Sequence, residues 1–255
     1  MYQLIDSGNG EKFERFGEVT LIRPCGQALW KPKLLEWNAD ACFNRDHGWE
    51  YERRIPEEWE VTIGGLIFKL KCTDFGHLGI FPEQAPFWKK IEESGAKKVL
   101  NLFAYSGGSS LAAAKAGADV THVDAAKGMV QWASENAKLN NLNIRWIVED
   151  ARKFLIRAVK RGDHYDGIIL DPPTFGRGKS GEVFKIEEDL PKMLQICAKL
   201  LKDMKFVLLT CHTPGFTPII LKQLLADTIE GEIEAGEMIL EAANLVPSGA
   251  YAYLK

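Results

Sequence analysis

From about residue 97 onward, short apolar segments of the chain alternate with segments whose apolar positions recur every three to four residues. The apolar runs predict strands and the amphipathic segments predict helices. The predicted strands cover residues 97–103, 118–124, 144–150, 165–171 and 205–211. The predicted helices cover residues 107–117, 127–141, 151–162, 186–201 and 218–230. Because consecutive parallel strands need crossover connections, this order predicts a parallel sheet with helices on both faces.

The two ends of the chain depart from this alternation. Residues 237–243 and 249–255 are both strand-like, and we predict a turn at residues 247–249 between them. With no helix between these strands, one edge of the sheet should contain an antiparallel strand. The first 90 residues contain strand-like runs joined by Gly turns. We therefore predict an α/β fold with a Rossmann-like seven-stranded sheet in residues 91–255 and a small β-rich region in residues 1–90.

Composition limits the class of protein. The 255 residues are 46% hydrophobic and 26% charged, which is ordinary for a folded soluble domain. The sequence has neither a leader pattern nor an apolar stretch long enough to span a membrane, so we expect a cytoplasmic location and no membrane partner. Five cysteines form no CxxC pair, which argues for reduced thiols and against a metal site. A net charge of −3 neither supports nor excludes an RNA partner.

Candidate ligand-binding residues follow the predicted strands. In open parallel sheets, ligands bind beyond the carboxyl ends of the strands. Small residues at 106–108 would let the backbone approach a ligand and expose the N–H groups of a helix N-terminus. Asp124 ends the second strand, where it could accept hydrogen bonds from ribose hydroxyls. Glu149 and Asp150 end the third strand, where an acid could accept from the adenine amine, although Asp150 could equally be a helix N-cap.

Four segments occur in an order that resembles a known family. They read VLNLFAYSGGSSL from residue 99, THVD ending at residue 124, VEDARKFL from residue 148 and DPPTFGRG from residue 171. Together they resemble the motifs of class I S-adenosylmethionine-dependent methyltransferases. They are most similar to the bacterial large-subunit ribosomal-RNA methyltransferases, whose first motif reads D-L-F-x-Y-T-G-G-F. The resemblance covers about residues 76–212.

The resemblance implies S-adenosylmethionine as the cofactor. Residues 76–88 resemble the G-x-F-x-x-Q segment of the family, whereas the aromatic residues at 87 and 88 are expected to serve packing. Asn101 stands where the family usually has an acid, which keeps a hydrogen-bonding group but removes a charge near the cationic cofactor. The residues that the resemblance assigns to the cofactor are Phe81, Gln84, Asn101, Phe103, Tyr105, Ser106, Gly107, Asp124, Asp150 and Asp171.

The DPPTF segment gives candidate catalytic residues. Asp171, Pro172 and Pro173 follow the fourth strand, where two prolines lack N–H groups and leave rigid carbonyl acceptors for the edge of a flipped-out base. Phe175 offers a flat face on which a base could stack. Arg177 and Lys179 could then contact a phosphate. The alternative interpretation of the segment is a strand stop followed by a hydrophobic plug.

Cys211 is a candidate nucleophile. Methylation of cytosine at C5 needs a thiolate that adds to C6, because C5 has no usable lone pair. Cys211 matches the position at which the C5-cytosine relatives carry a cysteine, although Thr210 and His212 replace the flanking serines. A buried, unreactive cysteine is the alternative. A base nitrogen with its own lone pair would need acceptors and stacking but no thiol.

The leading hypothesis is therefore an S-adenosylmethionine-dependent methyltransferase acting on a base in ribosomal RNA, at cytosine C5 or at a guanine nitrogen. RNA as the substrate rests on the resemblance alone. One alternative is an NAD(P)-dependent oxidoreductase, although SGGSS at 106–110 is not the GxGxxG of that class. Another is a protein that binds cofactor or RNA without catalysis. The sequence does not determine the oligomeric state.

Overall fold

The computed structural model describes residues 1–177 and 183–255, which form two compact units. The first unit consists of Met1–Ala85 with Ile239–Ser248, and the second of Pro86–Met238 with Gly249–Lys255. The linear pattern did not indicate that residues 239–248 would group with the N-terminal ones. The assignment of residues 91–255 to a single cofactor-binding domain stays a prediction.

The first unit is built largely from β-strands, as the strand-like runs in the first 90 residues predict. Five strands form a sheet in sequential order: β1 (Tyr2–Gly8), β2 (Glu11–Phe16), β3 (Val19–Pro24), β4 (Ala41–Asn44) and β5 (Gly48–Tyr51). Strands β6 (Trp59–Ile63) and β7 (Leu66–Leu70) form a separate hairpin, and Pro82–Gln84 form a 3₁₀ turn. Alternate residues of β3 and β7 are buried, which is the period-two pattern of a strand with one face in a core.

A buried ion pair fixes the loop that leads to the 3₁₀ turn. Glu14 is fully buried and accepts a 2.8 Å hydrogen bond from Nε of Arg23. Nη1 of the same guanidinium donates to the carbonyl of Gly76 at 3.0 Å. Gly76 has φ +76°, and a Cβ there would lie 2.4 Å from the ring of Phe43. The segment that begins at residue 76 is thus held by a charge-assisted hydrogen bond and by a backbone conformation that suits glycine.

Most residues of a seven-stranded sheet lie in the second unit. Its strands are β8 (Lys98–Leu102), β9 (Asp119–Asp124), β10 (Arg145–Val148), β11 (Tyr165–Leu170), β14 (Leu201–Cys211), β15 (Ile233–Glu241) and β16 (Leu245–Leu254). Their order in the sheet is β10-β9-β8-β11-β14-β16-β15. The helices are α1 (Ala85–Glu93), α2 (Gly108–Lys115), α3 (Lys127–Leu139), α4 (Ala151–Arg161), α5 (Ile186–Leu200) and α6 (Pro218–Ala226). A short hairpin joins β12 (Phe175–Arg177) to β13 (Val183–Lys185).

The predicted fold class is confirmed. Strands β8 to β11 and β14 pair in parallel, and β16 pairs antiparallel with β14, as the final strand pair predicts. The apolar runs are buried because helices cover a parallel sheet on both faces. Fully buried core residues of these strands are Leu100, Leu102, Ile168, Leu170, Val207 and Leu209.

The turn predicted at residues 247–249 is wrong. Residues 242–244 connect the last two strands, and residues 247–249 lie inside β16. Gly249 serves close packing there, because a Cβ at this position would lie 2.7 Å from the carbonyl oxygen of Cys211. Every helix within the described residues is too short or too polar to cross a membrane.

Candidate active site at the carboxyl ends of the central strands

The order of the strands reverses between β8 and β11, and in open parallel sheets such a reversal leaves a crevice at the carboxyl ends of the strands. Strands β9 and β10 extend the sheet on one side of β8, and β14 extends it on the side of β11. Leu102, the last residue of β8, pairs with Leu170, the last residue of β11. Ligands bind at such a reversal point in open parallel sheets. The loops that contain the predicted site residues therefore begin next to one another.

The loop after β8 has an unusual backbone. Phe103 and Tyr105 have φ angles of +55° and +49°, and Gly107 has φ +95°. Left-handed conformations of non-glycine residues persist only where the surrounding structure enforces them, and they cluster at ligand-binding sites. Here the enforcement includes a 3.0 Å hydrogen bond from Nδ2 of the buried Asn136 to the carbonyl of Ser106. Asn136 therefore helps to hold the loop in this conformation.

Asp124 ties this loop to the end of β9. Its Oδ2 accepts from the N–H of Tyr105 at 2.9 Å, and its Oδ1 accepts from the N–H of Ala126 at 2.8 Å. Burial raises the pKa of Asp124, and the two backbone hydrogen bonds oppose that rise. Each carboxylate oxygen has a second lone pair, so Asp124 can still accept hydrogen bonds from a pair of hydroxyl groups.

Asn101 lies inside the sheet layer and is only 3% exposed. Its Nδ2 donates to Oγ of Ser110 at 2.9 Å, and the same Oγ lies 3.0 Å from Nδ1 of His122. Burial lowers the pKa of His122 to about 3, so the imidazole is neutral at physiological pH. The side chain of Asn101 thus belongs to a buried polar network, and its contact with a cofactor stays a prediction.

Asp150 is the N-cap of α4, as the alternative interpretation predicted. Its Oδ1 accepts from the N–H groups of Arg152 at 2.9 Å and Lys153 at 3.2 Å. The side chain of Arg152 also donates to both carboxylate oxygens. Burial alone would raise the pKa of Asp150, but the hydrogen bonds outweigh it and lower the pKa. Capping does not preclude a further acceptor role, because Oδ2 accepts only from Arg152 among the hydrogen bonds described.

Residues of the DPPTF segment follow β11 directly. Oδ2 of Asp171 lies 3.7 Å from Nε2 of His212, at the end of the neighbouring strand β14. Oγ1 of Thr174 lies 2.9 Å from Oγ1 of Thr213, which ties the two loops together a second time. Phe175 begins β12 and is 49% exposed, and it is therefore free to offer part of its ring to a ligand.

Arg177 and Lys179 are predicted to contact a phosphate, and the carbonyls of Pro172 and Pro173 are predicted to accept hydrogen bonds from a base. The guanidinium of Arg177 lies 5.8 Å from the ring centroid of Phe175, so the two side chains share one face of the hairpin. Lys179 lies outside the described residues. Pro172 is buried and Pro173 is exposed, between the end of β11 and β12.

Cys211 lies at the end of β14 but is only 1% exposed. Its Sγ accepts a hydrogen bond from the N–H of Thr213 at 3.4 Å. Burial raises the pKa of the Cys211 thiol, Asp171 raises it further, and the contacts with Thr213 only partly oppose this. A thiol in such surroundings stays protonated at neutral pH, whereas nucleophilic cysteines have lowered pKa values.

Phe81 and Gln84 belong to the first unit. Phe81 precedes the 3₁₀ turn, and its ring lies 5.4 Å from that of His77 in an edge-on arrangement. Gln84 ends the turn and is buried. Their role at the cofactor site stays a prediction.

A family model described as S-adenosylmethionine-dependent methyltransferase matches residues 41–234, which is more than half of the chain. The chain belongs to this family. The predictions of the family, of the enzyme class and of S-adenosylmethionine as cofactor are thereby confirmed, and the oxidoreductase alternative is set aside.

Solved structures and curated relatives agree with the family. An S-adenosylmethionine-dependent methyltransferase from Agrobacterium tumefaciens is 38% identical with a TM-score of 0.94, over 100% of this chain and 90% of that one. Ribosomal RNA large subunit methyltransferase K/L of Pseudomonas putida is 36% identical over 152 residues, or 58% of this chain and 21% of the relative. The match thus spans about a fifth of that relative's length.

A more distant structure shares the fold alone. The tRNA (uracil-54, C5)-methyltransferase of Pyrococcus abyssi, in complex with S-adenosyl-L-homocysteine, has a TM-score of 0.57 at 15% identity. That comparison covers 96% of this chain and 59% of that one.

Four residues that contact the predicted site residues were not found from the sequence. Asn136 interrupts the apolar face of α3, which was a usable signal, and His212 follows a strand as the site acids do. Arg152 and the buried Phe184 gave no signal, because Arg152 reaches Asp189 and Phe184 packs against Phe103, and these partners are distant in sequence. Within residues 1–177 and 183–255, no cluster of three or more His, Cys, Asp or Glu is arranged to hold a metal ion.

Proposed function

We propose that this methyltransferase transfers a methyl group to a nitrogen of a nucleobase in RNA, with ribosomal RNA as the substrate class. The observation that carries the proposal is a difference in exposure. The residues that could orient a base are accessible, whereas the thiol that could act as nucleophile is buried. Asp171 to Phe175 follow β11 at the strand-order reversal, with Phe175 half exposed, whereas Cys211 is buried with a raised pKa.

The residues around the crevice fit S-adenosylmethionine. Asp124 keeps free lone pairs for ribose hydroxyls. Gly107, the N-cap of α2, has no side chain that could cap the N–H groups of this helix end, which leaves them as donors for a carboxylate. Asp150 is our candidate acceptor for the adenine amine. When bound, the cofactor supplies an electrophilic methyl group on a sulfonium. The same proposal assigns the loop at 103–107 to the methionine moiety, with Asn101 as a further contact.

On the acceptor side, this chain orients the base and stabilises charge. Pro172 and Pro173 fix the backbone between β11 and β12, so their carbonyls can accept hydrogen bonds from a base edge. Phe175 would stack on the base. The carboxylate of Asp171 would stabilise the positive charge that develops on the base when the nitrogen attacks. Where that nitrogen is an exocyclic amine, Asp171 would also accept a hydrogen bond from its N–H.

A nitrogen acceptor matches these residues better than cytosine C5 does. A ring nitrogen or an amine attacks through its own lone pair, so it needs orientation but no covalent help. Attack through C5 needs a thiolate. The buried, protonated thiol of Cys211 is poorly suited to that step.

Cytosine C5 is the second candidate, because Cys211 ends the strand next to β11. A rearrangement that exposes Sγ on substrate binding would make it available. Support for RNA comes from the curated relatives, which are ribosomal RNA methyltransferases by name and of which the match covers about a fifth.

The test is methyl transfer from labelled S-adenosylmethionine to in vitro transcribed large-subunit ribosomal RNA, followed by nucleoside analysis. Cys211→Ala is compared with Cys197→Ala, which also removes a buried thiol but in α5. We expect an N-methylated nucleoside at similar rates from the wild type and both variants, and a loss of about 100-fold in Asp171→Ala. A 5-methylcytosine product that disappears only in Cys211→Ala would assign the thiol as nucleophile instead. Absence of any product from RNA would reject the substrate class.

A further inference from the structure

We propose that Arg152 is a positioning residue that couples cofactor binding to the placement of the β12–β13 hairpin, and thereby of Phe175. The inference rests on the proposed function for the roles of Asp150 and Phe175. It adds a residue that links the two halves of the site.

Two nitrogens of the Arg152 guanidinium bind Asp150, which follows β10. Nε of Arg152 donates to Oδ1 of Asp150 at 3.3 Å, and Nη2 donates to Oδ2 at 2.9 Å. This two-point contact fixes the plane of the guanidinium relative to the carboxylate, since the fork of an arginine matches the geometry of a carboxylate. Any ligand group that shifts Asp150 therefore also shifts Arg152.

The other side of the guanidinium holds the hairpin. Nη1 of Arg152 donates to the carbonyl of Val183 at 2.8 Å and to Oδ2 of Asp189 at 3.1 Å. The same Oδ2 accepts from the N–H of Lys185 at 2.9 Å. Arg152 and Asp189 thus hold both ends of β13, and β13 pairs with β12 so that Lys185 lies opposite Phe175.

Phe184 adds a packed contact between the same elements. It is the buried residue of β13, and its ring centroid lies 5.6 Å from the guanidinium carbon of Arg152. On another side, the ring of Phe184 lies 5.3 Å from that of Phe103, in the strained loop after β8. The hairpin is therefore in contact with two loops that we assign to the cofactor.

These contacts make the positions of Asp150 and Phe175 interdependent. A ligand shifts a conformational equilibrium only by its differential affinity for the two states, and the coupling between two ligands is reciprocal. If the cofactor favours the arrangement in which Asp150, Arg152 and β13 are linked, it also favours the hairpin position that receives the base. Loss of Arg152 should remove this coupling while leaving the two separate binding surfaces in place.

The first experiment needs no RNA. Hydrogen exchange of the β13 amides is measured with and without S-adenosyl-L-homocysteine in the wild type, Arg152→Gln and Arg152→Lys. Arg157→Gln is the control, because Arg157 lies on the same helix but pairs with Glu149. We expect the ligand to slow exchange by about fivefold in the wild type and in Arg157→Gln. Arg152→Gln should show no slowing at saturating ligand, and Arg152→Lys, which keeps the charge but not the fork, only part of it.

The second experiment adds in vitro transcribed large-subunit ribosomal RNA and measures the affinity for S-adenosyl-L-homocysteine by calorimetry. We expect RNA to tighten that affinity by about fivefold or more in the wild type, and not in Arg152→Gln. Asp189→Asn, which disturbs only the hairpin side, should weaken this effect while leaving the affinity without RNA unchanged.

The outcomes separate the two proposals. The role of Arg152 would be overturned if the ligand slowed exchange in Arg152→Gln as much as in the wild type. It would also be overturned if the ligand did not slow exchange in the wild type. Slowing that depends on Arg152, together with no binding of RNA, would support the coupling and reject the RNA substrate. A drop in affinity in Arg152→Gln that is the same with and without RNA would indicate a merely structural role and would also overturn the proposal.

Discussion

The N–H of Tyr105 donates a 2.9 Å hydrogen bond to Oδ2 of Asp124, although the two residues follow different strands. Tyr105 has φ +49°, so this bond helps hold a conformation that a non-glycine residue rarely adopts. One carboxylate thus shapes the loop after β8 and also offers acceptor lone pairs at the crevice. The acid at the end of β9 is structural and, in our proposal, functional at once.

Replacing Asp124 with Asn should weaken cofactor binding. The amide keeps one acceptor oxygen but loses the second. The side chain therefore loses either one hydrogen bond from a backbone N–H or the proposed hydrogen bonds from the ribose hydroxyls. Hydrogen bonds to a charged group contribute about 1.5–3 kcal/mol, which predicts a loss of about 10- to 100-fold in affinity for S-adenosyl-L-homocysteine. Calorimetry measures this affinity, and Asp119→Asn, at the other end of β9, is the control. Wild-type affinity in Asp124→Asn would contradict the role of this carboxylate.

Replacing Gly107 with Ala should destabilise the second unit. A Cβ on Gly107 would lie 2.9 Å from Cδ1 of Leu111 and 3.1 Å from Cβ of Ala133, at φ +95°. The left-handed backbone alone costs an L-residue about 1–2 kcal/mol, and the close contacts add to that. Urea unfolding should show this loss. Gly128→Ala, in α3 with no atom within 4 Å, should instead stabilise by about 0.5–1 kcal/mol. Equal effects of the two substitutions would be inconsistent with this reasoning.

Phe175→Ala should impair use of the RNA substrate and not of the cofactor. Stacking of a base on an aromatic ring contributes about 1–3 kcal/mol, which corresponds to a rise of about 5- to 150-fold in KM for RNA. Steady-state kinetics and the affinity for S-adenosyl-L-homocysteine together separate the two effects. Val183→Ala is the matched control, because Val183 is also exposed on the hairpin and pairs with Arg177. An unchanged KM in Phe175→Ala would rule out stacking on this ring.

His122 should make the protein sensitive to mild acid. Burial lowers its pKa from 6.5 to about 3. Between these values the unfolded chain binds a proton that the native state does not. The stability that the neutral imidazole contributes is therefore fully present above pH 6.5 and is lost as pH falls toward 3.

The corresponding measurement is urea unfolding of the wild type and His122→Gln at several pH values below 7. The free energy of unfolding of the wild type should fall more steeply, by up to about 1.4 kcal/mol per pH unit. His164→Gln, at an exposed histidine, is the control variant. Parallel slopes in His122→Gln and the wild type would mean that His122 is protonated in the native state.

The order of elements could be predicted from the sequence because it depends on local periodicity. The apolar runs that contain Leu100 and Ile168 became the central strands, and the acids that follow such runs, Asp124 and Asp171, lie at the carboxyl edge of the sheet. In a parallel sheet every strand ends at the same edge, so the position along the chain fixed the position in the fold. The misplaced turn at residues 247–249 had the same local basis, since glycine favours both turns and close backbone packing.

By itself, the sequence determined the fold class, the family and the loops from which a site could be built. Tertiary structure alone decided that Cys211 is buried, that Asn101 turns into a polar network with Ser110, and that Arg152 reaches from Asp150 to β13. The physical reason is the separation along the chain of the residues that interact. Side-chain periodicity reports which face of an element is apolar, whereas burial, pKa and hydrogen-bonding partners depend on segments that the crossover connections bring together from distant parts of the chain.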